Sequence, residues 1–237
     1  MTVETEDSQR IPPPDHHRDV TGGWLRPAVF GVTDGLVSNG SLILGVAGSG
    51  ASTHAVILAG LSGLAAGAFS MATGEYISVA SQQELTLAEI EVEKLELHRV
   101  PIAEEAELAQ VYVQRGVEPA LAREVARQLS ANPEEAWRAH VREELGVDPD
   151  DLPSPWTAAT SSFGSFVVGA LIPLLPFLLG ATTLLATVVL TVVGLFVSGA
   201  AVSRFTSRTW WYSGARQLIL GGLAAAVTYG IGSAVGA

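Results

Sequence analysis

The sequence contains no cysteine among its 237 residues, which excludes disulfide bonds and thiolate metal sites. Methionine is nearly absent too, with two residues in the whole chain. Charged residues make up 16% of the chain, against roughly 25% in soluble domains, while hydrophobic residues reach 48%. This balance indicates long membrane-like segments rather than an ordinary soluble domain.

Positive charge is also scarce, since 13 lysines and arginines face 24 acidic residues and leave a net charge of −11. Nucleic-acid binding is therefore excluded, because phosphate contacts need a basic face. Seventeen of the acidic residues lie between Glu84 and Asp151 and five precede Val20. Asp34 and Glu75 are the only acids elsewhere. Two apolar blocks thus flank an acidic middle that is suited to cations.

The first 25 residues lack the basic start and apolar run of a signal peptide, and they include the segment "IPPPD". We predict a disordered cytosolic tail over 1–25. The pair His16 and His17 is more typical of a solvated tail than of a metal site. With no organellar targeting segment visible, the sequence predicts a bacterial inner membrane.

Five segments are long and apolar enough to cross about 30 Å of hydrocarbon. They cover about 28–47, 56–79, 160–179, 181–203 and 214–235. Lysine and arginine lie before the first segment, in the middle block and around the fourth connection, which predicts a cytosolic N-terminus and an outward C-terminus. Gly31 and Gly35 lie four residues apart, as do Gly63 and Gly67, a spacing that lets helices approach closely.

The acidic middle block reads as a helical subdomain on a helical stalk. The second span is predicted to continue as a helix to Val100, and Pro101 opens the next helix. Gly116 and Gly146 follow later helices in C-cap style, and Asn132 is a predicted N-cap. The sequence therefore predicts an all-α membrane protein. Its parts are the tail 1–25, spans one and two in 26–80, a cytosolic metal-binding subdomain in 81–152, and spans three to five in 153–237.

Glutamates recur at helical spacing in the middle block. Glu93 and Glu96 lie three residues apart on one helix, and Glu104 and Glu107 repeat this spacing on the next. In a helical hairpin the four carboxylates would converge, with Glu144 available from the last helix. Such oxygen-rich sites suit divalent ions. The spacing alone is equally typical of a solvated helix face.

The two acids inside the spans are costly, since an ionised carboxylate at the membrane centre costs about 2.5–3.5 kcal/mol on insertion scales. Asp34 lies about seven residues into its span, or on the order of 10 Å deep. Glu75 lies at a comparable depth on a helix that runs the other way, so both could line one cavity. Met71, one turn deeper, would add a soft ligand that favours Fe²⁺ over Mg²⁺ or Ca²⁺. The alternatives are a packing role for Met71 and a helix-terminal role for Asp34.

Four stretches of the sequence resemble the vacuolar iron transporter family. They are "FGVTDGLVSNGSLILGV", "FSMATGEYISVASQQE", "REELG" and "PSPWTAATSSFGSFVVGALIPLLP". The resemblance runs from about residue 26 to the C-terminus. It implies a five-span homodimer that moves ferrous iron, and often manganese, out of the cytosol against protons. It also implies a second span that extends into the cytosol and carries a metal-binding helical subdomain.

Carried over position by position, the resemblance implies two sets of site residues. The predicted transport pore consists of Asp34, Asn39, Met71 and Glu75. The predicted metal ligands are Glu93, Glu96, Glu104, Glu107, Glu144 and His140. His140 departs from the family pattern, which has methionine there, and an imidazole is also a suitable ligand; an ordinary surface histidine is the alternative. Gly63 stands where relatives have a further acid.

The sequence therefore predicts a secondary transporter and not an enzyme. The predicted transported ion is Fe²⁺, with Mn²⁺, Zn²⁺ or Co²⁺ as alternatives, and no permanently bound cofactor is predicted. The predicted partners are the metal ion as transported and regulatory ligand, protons, the lipid bilayer and a second copy of the chain. Two alternatives stay open, a membrane-anchored metal buffer or sensor and a ferritin-like ferroxidase. The ferroxidase is disfavoured because Glu-x-x-His pairs are absent: His98 follows Glu96 by two residues.

Overall fold

A computed structural model describes residues 23–204 and 208–236 of the chain. Within these residues it contains nine α-helices and two short π-helices, and no β-strand. The tail predicted over 1–25, with His16 and His17, lies outside the described residues except for its last three positions. The described part of the chain is thus all-helical, as the sequence predicted.

Five of the helical stretches are long and apolar enough to cross a membrane. They are Leu25–Gly48, Thr53–Arg99, Pro155–Leu178, Leu184–Val202 and Trp210–Gly236. The first is composite: it contains α1 (Leu25–Asp34), the π-helix π1 (Gly35–Asn39) and α2 (Gly40–Gly48). The others are α3 (Thr53–Arg99), α7 (Pro155–Leu178), α8 (Leu184–Val202) and α9 (Trp210–Gly236). The predicted number of spans is confirmed.

The helix α3 is much longer than a membrane is thick. Its 47 residues correspond to about 70 Å at 1.5 Å per residue, against about 30 Å of hydrocarbon. The side chain of Ser52 caps its start by accepting a hydrogen bond from the backbone N–H of Ala55. It ends at Arg99, one residue before the predicted Val100, because Pro101 disfavours helical backbone at Val100, where φ is −135°.

Four shorter helical segments lie between the second and third spanning helices: α4 (Pro101–Gln114), α5 (Pro119–Leu129), α6 (Pro133–His140) and the π-helix π2 (Val141–Leu145). Together with the end of α3 we call them the helical insert. Leu108, Ala109 and Ala126 form its small apolar core. Asn132 caps α6, as predicted, by accepting a hydrogen bond from Glu134 N–H. Gly146 ends π2 with a φ of +67°, a left-handed conformation that favours glycine.

The helix α7 lies at the centre of the apolar bundle, with α1 and α3 packed against it. Glycines allow this contact: a Cβ atom added at Gly31 would lie 2.7 Å from the carbonyl oxygen of Ser162. One added at Gly35 would lie 2.7 Å from the amide nitrogen of Ala170. The close approach predicted from the glycine spacing is therefore present, and its partner is the third span. Pro173 and Pro176 lie inside α7 without ending it.

Candidate functional site

A buried cluster of metal-ligand side chains lies in the helical insert. Glu93 on α3, Glu104 on α4 and His140 on α6 each offer a ligand atom, and these atoms lie within 4.8 Å of one another. Each of the three side chains comes from a different helix, so the helix packing itself creates the cluster. An isolated ionised carboxylate is costly to bury, and two of them in one pocket require a cation or a proton.

His140 holds the centre of this cluster. Its Nδ1 atom lies 3.0 Å from Oε1 of Glu93 and 3.0 Å from Oε1 of Glu144. It lies 3.9 Å from Oε2 of Glu104. A protonated Nδ1 donates one hydrogen bond, and the geometry gives it to Glu144. Oε1 of Glu93 and Nε2 of His140 then remain buried without a hydrogen-bond partner.

The carboxylates of the cluster repel one another. Burial, together with the charges of Glu144 and Glu104, raises the pKa of Glu93 to about 7. Burial, followed by the charge of Glu107, raises the pKa of Glu104 above its usual range. A divalent cation between these oxygens would remove both the repulsion and the burial penalty of the ionised forms.

The structure separates the six predicted metal ligands into two groups. One group surrounds the imidazole of His140, within 4 Å of its Nδ1 atom, and consists of Glu93, Glu104 and Glu144. Glu96 and Glu107 are exposed, but each is close enough for its charge to contribute to the raised pKa of Glu93. His140 is completely buried, which excludes the alternative of an ordinary surface histidine. Its role as a metal ligand stays a prediction.

The neighbouring residue Glu143 has a separate set of partners, which the sequence did not reveal. Its Oε1 accepts a hydrogen bond of 3.1 Å from the Tyr112 hydroxyl, and Oε2 pairs with Arg115. These contacts fasten π2 to α4. Because Glu143 is held on that side, Glu144 is left to face His140. A tyrosine and an arginine at the end of a helix carry no sequence signal that would identify this contact.

In the membrane part, Asp34 is the last residue of α1, directly before π1. Its Oδ1 accepts a 2.5 Å hydrogen bond from the hydroxyl of Ser38. The π-helix is a wider turn that often marks functional sites. Because α1 continues directly into π1 and α2, Asp34 lies in the interior of the composite helix Leu25–Gly48. It does not lie in the first turn, where the alternative role of an acid at the helix N-terminus would place it.

Glu75 lies on α3 with its side chain 10% exposed. Its Oε2 atom is buried and has no hydrogen-bond partner. In the described part of the chain its ion-pair partner is Arg26, whose Nη1 atom lies 3.8 Å from that oxygen. Among the described residues, Asp34 and Glu75 thus have different partners, Ser38 and Arg26.

Met71 packs against the apolar cluster of Ala68, Phe166 and Ala170, between α3 and α7. Packing, considered from the sequence as an alternative role, is therefore part of its environment. The residue is half-buried, so one side of it remains accessible.

Asn39 ends π1 and is 1% exposed. Its Nδ2 atom donates a 2.8 Å hydrogen bond to the carbonyl oxygen of Ala170, while Oδ1 is buried without a partner. A Cβ atom added at Gly63 would lie 2.8 Å from this Oδ1. The absence of a side chain at position 63 therefore gives Asn39 its place between α3 and α7.

Comparison with known proteins shows the family of the chain. The sequence profile of the VIT family matches residues 25–233. The chain is 40% identical over 221 residues to "Vacuolar iron transporter" of Acanthamoeba castellanii, covering 90% of this chain and 78% of that protein. It is 34% identical to "Vacuolar iron transporter 1" of Oryza sativa subsp. japonica over 226 residues, covering 93% of this chain and 90% of the relative. The relative of the same name in Arabidopsis thaliana is 33% identical over 238 residues, with 97% and 93% covered. The chain therefore belongs to the VIT family of vacuolar iron transporters.

Proposed function

We propose that this protein is a transporter that carries Fe²⁺ across the membrane, out of the cytosol. The observation that carries the proposal is the placement of Glu75 and Glu93 on the single helix α3. They lie 18 residues apart, which is about five turns and about 27 Å. Both are buried on the same face of this helix. One helix face thus connects a carboxylate inside a membrane segment with the ligand cluster of the insert.

In this proposal the membrane route consists of Asp34, Asn39, Met71 and Glu75. The buried oxygen atoms without partners at Glu75 and Asn39 support the assignment, because a desolvated ion needs such ligands. The thioether of Met71 adds a softer donor, which favours Fe²⁺ over Mg²⁺. Transport of Mn²⁺ is a further proposal, since carboxylates also suit that ion.

The insert collects the ion in this proposal. Glu93, Glu104, Glu144 and His140 would bind it directly, with Glu96 and Glu107 at the rim. Carboxylates and imidazole suit Fe²⁺ and several neighbouring divalent ions. Because these ligands must lose protons to bind a metal, uptake and release are coupled to protonation. Exchange of Fe²⁺ against protons is the coupling we propose.

The orientation is part of the same proposal. The insert lies in the cytosol, and the C-terminus lies outside, because the lysines and arginines are concentrated near the insert and the connection after α8. The protein acts as a homodimer in the bilayer. The compartment predicted from the sequence is a bacterial inner membrane, while the relatives are named after the vacuole and come from eukaryotes.

Proteoliposomes loaded with an Fe²⁺-sensitive dye test the proposal under anaerobic, reducing conditions. The wild type should carry Fe²⁺ into the vesicles, and Asp34→Asn should lower the flux at least tenfold. Glu84→Gln is the matched control, because Glu84 is an exposed acid on α3, and its flux should equal the wild type. Equal flux in Asp34→Asn and the wild type would contradict the route.

A membrane-anchored metal buffer is the second candidate, because the buried cluster of Glu93, Glu104 and His140 lies outside the apolar bundle. A buffer would bind Fe²⁺ in detergent without any flux into vesicles. A ferroxidase would consume oxygen when Fe²⁺ is added. Flux without oxygen consumption separates the transporter from both.

A further inference from the structure

Arg26 and Glu75 form an ion pair at the start of the membrane route. Nη1 of Arg26 lies 3.8 Å from Oε2 of Glu75. The two side chains differ sharply in exposure, at 82% for Arg26 and 10% for Glu75. A buried carboxylate is therefore approached by a cation that itself remains in contact with solvent.

Among the described residues, Arg26 is the one cation within ion-pair distance of Glu75. No other lysine or arginine occurs between residues 27 and 93, and none occurs between residues 155 and 203. The first four spanning helices therefore contain one lysine or arginine, Arg26, besides Lys94 and Arg99 at the far end of α3. An ionised carboxylate inside a membrane needs a partner charge. This need is greater at Glu75, because its Oε2 atom is buried and accepts no hydrogen bond that would stabilise the negative charge.

The backbone beside Arg26 is held in place while its side chain is not. The hydroxyl of Ser161 donates a 2.8 Å hydrogen bond to the carbonyl oxygen of Trp24. Pro27 is buried. Its carbonyl oxygen accepts a 3.4 Å hydrogen bond from the hydroxyl of Ser165. Arg26 itself is different. Within the described residues, no hydrogen bond or ion pair other than the one with Glu75 fixes its side chain, so the guanidinium can leave Glu75 without any movement of α1.

We propose that Arg26 is a tethered counter-ion: its guanidinium pairs with the Glu75 carboxylate when no metal ion is bound, and it competes with an entering divalent ion for that carboxylate. The inference rests on the proposed function, in which Glu75 belongs to the route. A divalent ion and a guanidinium repel each other at the same carboxylate. Entry of the ion moves the guanidinium outward into water, and its return helps to release the ion from Glu75.

The competition has a kinetic consequence. Without the guanidinium, the ion binds Glu75 without displacing a partner and leaves it more slowly. Both the KM for Fe²⁺ and the maximal rate should then fall. The change should be about twofold to fivefold in each, because an exposed ion pair contributes on this scale.

Fe²⁺ flux in proteoliposomes tests the inference with the full chain. Arg26→Gln and Arg26→Met should both lower KM and the maximal rate, and Arg26→Lys, which keeps the charge, should restore the wild-type KM. Arg208→Gln is the matched control for a general change in surface potential. Arg208 stacks over the Tyr212 ring, 6.0 Å from its centroid, and is not part of the route.

An unchanged or higher KM in both neutral variants would overturn the role of Arg26. The same follows if Arg208→Gln lowers KM equally, or if Arg26→Lys behaves like Arg26→Gln. These outcomes leave the proposed function intact as long as Asp34→Asn lowers the flux at least tenfold. Absence of Fe²⁺ flux in the wild type would overturn both proposals.

Discussion

Nδ1 of His140 lies 3.0 Å from Oε1 of Glu93, and both side chains are buried. The contact joins α6 to α3, which are 47 residues apart at these two positions. Nδ1 has its hydrogen bond with Glu144, so Oε1 of Glu93 lies beside it without a hydrogen-bond partner. A divalent ion bound by both His140 and Glu93 would give this oxygen a partner, so the same pair links the packing of the insert to metal binding.

The first prediction concerns His140 as a ligand. His140→Ala should weaken Fe²⁺ binding to the insert at least tenfold, since even partners outside the first ligand shell affect affinity by about 10–100-fold. Anaerobic titration calorimetry in an Asp34→Asn background measures this affinity without the membrane route. His98→Ala is the control, because His98 is exposed on the same stalk. Equal affinity in both variants would show that His140 only packs.

The second prediction concerns pH. The pKa of Glu93 in the folded protein is about 7, above its ordinary value of 4.5. Below pH 4.5 the group is neutral in both states, so it costs no stability. As pH rises towards 7 the unfolded chain loses this proton first, and the free energy of unfolding of the metal-free insert falls. Above pH 7 the loss is complete, at up to about 3 kcal/mol.

Hydrogen exchange of peptides from the insert measures this effect in the intact, metal-free protein. Protection should decrease between pH 4.5 and 7, after correction for intrinsic exchange rates, and Fe²⁺ should restore it. Glu93→Gln should remove most of the decrease, whereas Glu84→Gln should leave it unchanged. Protection of the wild-type insert that does not change between pH 4.5 and 7 would contradict the raised pKa of Glu93.

The third prediction concerns the contact between π2 and α4. Tyr112→Phe removes the hydrogen bond to Glu143, which should cost about 1 kcal/mol of local stability. The measurable result is faster hydrogen exchange over 141–145, together with weaker Fe²⁺ binding because Glu144 is less well placed. Arg127→Gln is the control, since it breaks an exposed pair with Glu124 on α5. Equal exchange over 141–145 in both variants would contradict the structural role of Tyr112.

The sequence predicted helix ends well because they depend on local chemistry. Pro101 ended α3, and Asn132 and Gly146 bounded α6 and π2, each through its own backbone or side chain. The apolar runs likewise predicted all five spans, since hydrocarbon thickness sets their length. The acid spacing indicated that Glu93, Glu96, Glu104 and Glu107 would converge if their two helices formed a hairpin. The structure brings Glu93 and Glu104 together and leaves Glu96 and Glu107 exposed.

Other features depend on tertiary contacts and could not be predicted. The glycine spacing indicated close approach, but only the structure identifies α7 as the partner. The two π-helices have no local signal, yet each begins directly after a predicted site residue, Asp34 or His140. In both cases this residue contacts the residue four positions later, Ser38 or Glu144. The ion pair of Arg26 with Glu75 joins residues 49 positions apart and follows from packing alone.

The fourth prediction concerns Gly63. A Cβ atom at this position would lie 2.6 Å from Cδ2 of Leu42 and 2.8 Å from Oδ1 of Asn39. The leucine side chain can move, but Asn39 is held by its hydrogen bond to Ala170. Gly63→Ala should therefore destabilise the bundle by about 1–3 kcal/mol, as overpacking does. It should also lower Fe²⁺ flux, because it displaces Asn39.

Gly74→Ala is the matched control for this change, because it lies on the same helix and a Cβ atom there has no neighbour within 4 Å. Alanine favours helix by up to about 1 kcal/mol over glycine, so this variant should be as stable as the wild type or more stable. Thermal unfolding in detergent compares the two variants, and the vesicle assay compares their flux. Similar unfolding temperatures would mean that α3 shifts away from Asn39 at little cost. That result would contradict the inference that the Asn39 amide is held in a fixed position. The assignment of Asn39 to the route depends on this inference.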